Sequence, residues 1–255
     1  LENFRRQGIS MAFPLTYIIV LTWNGWEDTE ECLKSLKPVL EEGIRAVVVD
    51  NGSTDGTPEK MRRHFPGIEV VENGENLGFP AGNNVGILKA LNEGASYVIL
   101  LNNDTVVDRD FARELVAAAK QDPQIGLVTS KIYYYDRPNV IWFAGGDFST
   151  WTGRSTHAGF GKTDRGQFDA VKDIGRPCGG SLLATRAFLD TVGLMDENLF
   201  LYGEEVEWVL RARRQGYRCV LAPRSKVWHK VSSGSGGTRS GNNLYYYVRN
   251  MMYIL

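Results

Sequence analysis

The 255-residue chain has no run of about 18 consecutive apolar residues, so none of its predicted helices is long and apolar enough to cross a bilayer. Cysteine is scarce. Cys32, Cys178 and Cys219 are odd in number and form no CxxC pair, which argues against a disulfide framework or a zinc cluster and for a reduced, cytosolic-type chain. An excess of either charge is missing too: 29 Lys and Arg face 30 Asp and Glu, and the net charge of −1 gives no general pull toward nucleic acid or an anionic membrane. The familiar nucleotide motifs fail. Gly161-Lys162-Thr163 resembles the end of a P-loop, but Thr156 stands where its first glycine belongs. Gly78, Gly82 and Gly86 recur every fourth residue, which is not the dinucleotide-binding GxGxxG. No Gly-rich, Arg/Lys-bearing loop follows the first strand, as a sugar nucleotidyltransferase would need. Asn102-Asn103-Asp104-Thr105 mimics the DxDxT of one phosphatase class, yet an amide at 102 is no nucleophile.

Hydrophobic residues make up 43% of the chain, enough for a sizeable core. Short β-branched runs at 16–23, 44–50, 67–73 and 96–101 predict strands. Segments 27–40, 57–65, 80–93 and 109–120 between and after them show helical spacing. This alternation predicts a three-layer α/β/α fold with a mainly parallel central sheet, in which ligands bind beyond the carboxyl ends of the strands. Polar clusters sit at those ends: Thr22-Trp23-Asn24, Asp50 to Ser53, Asn73 to Asn76, and Asn102 to Asp104. In the second half, 179–185 predicts a strand, 186–192 and 204–216 predict helices, and "YRCVLAP" and "SKVWHK" predict two closing strands. The glycine-serine run 232–237 predicts a loop.

Six stretches taken in order carry more information: "IVLTWNG", "VVVDNGSTDGT", "ENLGFPAGNN", "ILLNNDTVV", the run from Cys178 to Tyr217, and "VWHK". Together they resemble a family 2 glycosyltransferase with the GT-A fold, and its rhamnosyltransferase-like members in particular. The resemblance covers about 16–237, leaving 1–15 as an extension and 238–255 as an aromatic segment expected to pack on the core or to meet a membrane surface. It implies inverting transfer of a sugar from a UDP- or dTDP-sugar, by analogy dTDP-rhamnose, with Mg2+ or Mn2+. The acceptor would be a saccharide or lipid-linked hydroxyl, at the cytoplasmic side of the membrane, in polysaccharide or glycolipid synthesis. The alternatives are a non-catalytic nucleotide-sugar-binding homologue and a sugar nucleotidyltransferase.

The resemblance also assigns residues. Asp104 would hold the cation, one carboxylate sufficing because a diphosphate brings further oxygens; the family's first Asp is here Asn102. His229 would reach the metal or diphosphate. Asp50 would accept the pyrimidine N3–H, or else cap its own turn. Thr22, Asn24, Asn76, Gly78, Asn102 and Asn103 would surround the nucleotide sugar. The family's Glu-Asp pair is here Glu204-Glu205, so Glu205 inherits the role of base, with Glu204 as the alternate; otherwise both are acids favoured at a helix start. Gly179 and Gly180 would line the acceptor side, with Trp142 or Trp151 as a stacking face, and Arg239 would meet diphosphate from a closing loop.

Overall fold

The computed structural model describes residues 13–40, 43–231 and 241–255. In chain order the elements are β1 (Thr16–Thr22), α1 (Trp26–Leu40), β2 (Arg45–Asp50), α2 (Thr57–His64), β3 (Glu69–Glu72), α3 (Gly78–Asn92), β4 (Tyr97–Asn102), β5 (Thr105–Val107) and α4 (Phe111–Ala119). Then follow β6 (Ile125–Tyr134), β7 (Ile141–Phe143), β8 (Gly146–Phe148), β9 (Ser155–His157), β10 (Lys172–Asp173) and β11 (Ser181–Thr185). The chain continues with α5 (Arg186–Val192), a 3-10 turn (Glu197–Leu199), α6 (Glu204–Arg214), β12 (Arg218–His229) and α7 (Gly241–Ile254).

The main sheet runs in the order β10-β12-β6-β11-β4-β1-β2-β3, with β5 and β7 paired at its side. β3, β2, β1 and β4 form a parallel block. β6 and β12 share that direction because β11 runs antiparallel to both β4 and β6, while β6 and β12 are parallel. The sheet is thus mixed but mainly parallel. A strand covered on both faces reads as a continuous apolar run, and β1 divides its side chains accordingly. Ile18 and Val20 join Leu33, Leu36, Phe111 and Leu115 on one face. Tyr17 and Ile19 join Ile87, Phe188 and Trp208 on the other.

The every-fourth glycines have a packing cause. A Cβ on Gly82 would stand 2.7 Å from Leu21, and one on Gly86 would stand 2.6 Å from Ile19. Glycine therefore lets α3 lie directly against β1. The carboxyl end of β1 is then fixed relative to the start of α3.

One sequence expectation changes, and one long strand goes unanticipated. "YRCVLAP" and "SKVWHK" are one strand, β12, interrupted by a register shift between Ala222 and Lys226. Ser225 in that bulge is fully buried; its hydroxyl donates to Phe111 O at 2.9 Å and lies 2.7 Å from that of Ser130. The strand β6 was hidden in sequence by its polar centre, Thr129-Ser130-Lys131. Those groups are satisfied at long range: Thr129 donates to Ser181 O, and buried Lys131 is paired with Asp164 and Asp169 at 2.7 Å each.

Candidate active site

The registers of β1 with β2 and β4 set Thr22 beside Asp50 and Leu21 beside Asn102, so three carboxyl-terminal strand tips adjoin. Asp50 is 1% exposed. Its Oδ2 accepts the backbone N–H groups of Gly52 (3.1 Å) and Ser53 (2.9 Å), which is the turn cap that sequence allowed. Its Oδ1 is buried and has no hydrogen-bond partner among the described residues. The turn cap therefore occupies one oxygen of this carboxylate and leaves the other uncommitted.

The other donor-side residues divide into two kinds. Thr22 and Asn103 turn inward as a brace: the Thr22 hydroxyl lies 2.8 Å from that of Thr29, and the Asn103 amide donates to both (3.3 and 3.1 Å). Asn24 and Asn76 are exposed but also shape the rim. Asn24, at φ 48°, accepts from Thr54 N at 2.7 Å and ties the first loop to the second. Asn76 accepts from the Asn51 amide at 2.9 Å and from Gly78 N at 3.0 Å. Gly78 has φ +84°, and a Cβ there would stand 2.5 Å from the Phe200 carbonyl. Only glycine permits that approach, which joins the donor rim to the loop before α6.

Asp104 follows the tip of β4, and pairing of β5 with β12 brings His229 opposite Thr105. His229 Nε2 then lies 3.0 Å from Asp104 Oδ1. His229 Nδ1 is buried without a hydrogen-bond partner among the described residues. Asn102 is half-buried, its N–H donating to Gly180 O at 3.2 Å. A Cβ on Gly180 would sit 3.9 Å from the Asn102 amide, and one on Gly179 3.2 Å from Phe79. The two glycines therefore lie between the Asn102 tip and the start of α3. Trp142 packs edge-on against His229, with ring centroids 4.8 Å apart, whereas Trp151 is 96% exposed on the turn between β8 and β9.

Glu204 and Glu205 open α6, and both are buried. The loop ahead of them is held in unusual backbone: Phe200 (φ 52°), Tyr202 (φ 69°) and Gly203 (φ 94°) are all left-handed. Strain of this kind persists only where surroundings enforce it. Here the enforcer is Asn250 of α7, fully buried, whose side-chain amide faces the carbonyls of Leu199, Leu201 and Tyr202 at 2.6, 2.9 and 2.6 Å. The aromatic segment thus packs on the site through one face. Leu244, Tyr245, Val248 and Met252 on it remain exposed.

The two glutamates are not equivalent. Burial, and then repulsion from Glu205, pushes the Glu204 carboxyl well above the usual range. Its Oε2 has no hydrogen-bond partner among the described residues. Glu205 Oε1 instead lies 3.4 Å from Arg176 Nη2. The favourable helix N-terminus is thus outweighed at Glu204 by desolvation. A carboxyl whose folded-state pKa is raised binds more protons folded than unfolded as pH climbs above about 4.5, so stability falls across that window. Glu204→Gln is therefore expected to match the parent near pH 4 and to exceed it at pH 8, by a few degrees of Tm at ~2–4 °C per kcal/mol. Thermal melts across pH check this; equal pH slopes in both proteins would refute it.

Comparison with known proteins now identifies the family. The model for glycosyl transferase family 2 matches residues 17–190. This chain belongs to glycosyl transferase family 2. The family 2 chain is 26% identical over 239 residues to the N-acetylglucosaminyl-diphospho-decaprenol L-rhamnosyltransferase of Mycobacterium tuberculosis, covering 86% of this chain and 77% of that relative. It is 25% identical over 228 residues to the poly-beta-1,6-N-acetyl-D-glucosamine synthase of Staphylococcus aureus, covering 88% of this chain but only 51% of the synthase. Its fold resembles GalNAc-T7 solved with UDP, GalNAc and Mn2+, at TM-score 0.69 and 19% identity, over 92% of this chain and 47% of that one. It also resembles the mannosyltransferase PcManGT of Pyrobaculum calidifontis solved with GDP-Man and Mn2+, at TM-score 0.61 and 21% identity, over 87% and 58%. These neighbours establish the GT-A fold.

The residues present fit a divalent cation of the kind both solved neighbours contain. Among the described residues no group of three or more His, Cys, Asp and Glu is arranged to hold a metal. One carboxylate and one imidazole, Asp104 and His229, offer a hard and a borderline donor, which suits Mg2+ or Mn2+ only where a diphosphate completes the shell. His229 Nδ1, without a hydrogen-bond partner among the described residues, leaves that nitrogen open to a ligand. Arg239 and the run 232–237 lie outside the described residues. Sequence reading passed over Arg176, His157 and Asn250. The one available signal was an arginine two residues before "CGGSLLAT".

Proposed function

We propose that this family 2 glycosyltransferase moves a sugar, with inversion, from a UDP- or dTDP-sugar to an acceptor hydroxyl, using Mg2+ or Mn2+. The carrying observation is that the segment Arg176 to Gly180 touches both halves of the site. Gly180 O accepts the N–H of Asn102, two residues before Asp104, and Arg176 Nη2 lies 3.4 Å from Glu205 Oε1. One short segment in contact with both supports a single cleft, with a cation side at Asp104 and a base side at Glu205.

In this reading Asp50 Oδ1 accepts the N3–H of uracil or thymine, a proton that cytosine lacks. Asp104 and His229 hold the cation, which when bound stabilises the charge of the departing diphosphate. Glu205 takes the acceptor's proton on the face opposite the leaving group, as a single displacement requires. The rhamnosyltransferase relative favours dTDP-rhamnose as donor and a lipid-linked acceptor, with synthesis of cell-wall polysaccharide or glycolipid at the cytoplasmic face of the membrane. No helix among the described residues is long and apolar enough to cross a membrane. The exposed apolar face of α7 would serve peripheral contact.

The test is nucleotide binding by calorimetry with Mn2+ present. Losing a hydrogen bond to a charged group is worth about 1.5–3 kcal/mol, or ~10–100-fold. Asp50→Asn is expected to weaken UDP and dTDP by that factor and to leave CDP unweakened. Unchanged UDP affinity, or a parent protein preferring ADP or NAD, would overturn the reading. Retained UDP binding without turnover on any panel of donors and acceptors would mark a binding homologue instead.

A further inference from the structure

Beside Glu205 stand two half-buried polar side chains for which none of the roles above accounts. Arg176, two residues before Cys178, directs Nη2 to Glu205 Oε1 at 3.4 Å. Its Nη1 contacts Nε2 of His157 on β9. Burial, and then Arg176 itself, holds the His157 imidazole down near 4, so it is neutral and can accept from the guanidinium. His157 is fixed in turn by ring contacts to Phe143 (5.5 Å) and Trp142 (6.1 Å), both near edge-on, and Trp142 packs on His229. A continuous line of contacts therefore runs from the cation side, His229, through Trp142, His157 and Arg176, to the base side, Glu205.

A guanidinium is a planar fork, and two of its nitrogens here engage partners on opposite sides. If Arg176 served only to neutralise Glu204, it would face that residue. Its hydrogen bond goes to Glu205 instead, and Glu204 Oε2 is left without one. We propose that Arg176 is a positioning residue: pinned by His157, it orients Glu205 for the acceptor hydroxyl whose proton that side chain receives. This rests on the reading of Glu205 as the base. The titratable and charged groups around Glu205 are Glu204 on its own helix, Arg176 and Cys178 from the segment before β11, Asp104 beyond Cys178, and His157 behind Arg176.

The test is kcat and the acceptor KM, measured by nucleotide release in Arg176→Met, Arg176→Lys and His157→Phe, with UDP affinity in the presence of Mn2+ measured alongside. A catalytic group left out of position costs rate rather than binding. Arg176→Met is therefore expected to lower kcat by about 10–100-fold, with acceptor KM and UDP affinity unchanged. Arg176→Lys keeps the charge but not the planar fork, and should recover kcat in part. His157→Phe, which keeps the guanidinium but frees the fork, should lower kcat by less. An unchanged kcat in Arg176→Met, or in His157→Phe should the methionine variant not fold, overturns the proposal. So does loss of UDP affinity, which would make Arg176 a donor contact. Full turnover by Glu205→Gln would instead remove the base reading underneath, and is scored separately.

Discussion

Glu205→Gln is expected to lose turnover by about 10²–10⁴-fold, the usual span for removing a general base, while UDP or dTDP affinity holds within about twofold. Glutamine keeps the length and volume, so the first turn of α6 and the loop clamped by Asn250 should stay in place. The companion variant decides the assignment. Burial, and then its neighbour, push the Glu204 carboxyl well above the usual range, which disfavours the ionised form a base needs. Glu204→Gln should therefore cost less than about tenfold in kcat. A reversal, with Glu204→Gln inactive and Glu205→Gln active, would transfer the role to the first glutamate and leave Arg176 without a catalytic purpose. Single-turnover measurements at saturating donor keep binding out of the comparison.

The parallel block and its helices were legible because burial imposes a period on the chain. "TYIIVLT" and "VILLN" can be so apolar only if both faces are covered, and the predicted ends of β1, β2 and β4 fall within a residue or two of those observed. The polar tips followed from the same rule, since strand ends in such sheets face ligand. Long-range pairings were hidden. Lys131 reads as an exposed charge until loop residues Asp164 and Asp169 are seen to bury it. Arg176, His157 and Glu205 meet across 19 and 29 residues, and Asn250 grips carbonyls 48 to 51 residues away. Backbone carbonyls have no sequence identity, so no pattern announces such a clamp. Thr22 and Asn103 show the opposite effect: correctly placed at the rim by position, they spend their polar atoms on each other and on Thr29.

Asp104→Ala is expected to abolish the thermal stabilisation that UDP plus Mn2+ confers on the parent, and to lower turnover by about 10²–10³-fold. The size follows from the thinness of the donor set. With an amide at Asn102 and no three-residue ligand cluster among the described residues, Asp104 is the only carboxylate assigned to neutralise the cation. His229→Ala removes the weaker donor and should cost less, but it should change the metal preference. Imidazole suits Mn2+ better than it suits Mg2+, so the parent is expected to run faster with Mn2+, and His229→Ala to narrow that gap. Titrating each metal at fixed donor measures both effects. If Asp104→Ala keeps its response to UDP and Mn2+, the cation is held elsewhere. The pairing of Asp104 with His229 would then be only a tie between β12 and the end of β4.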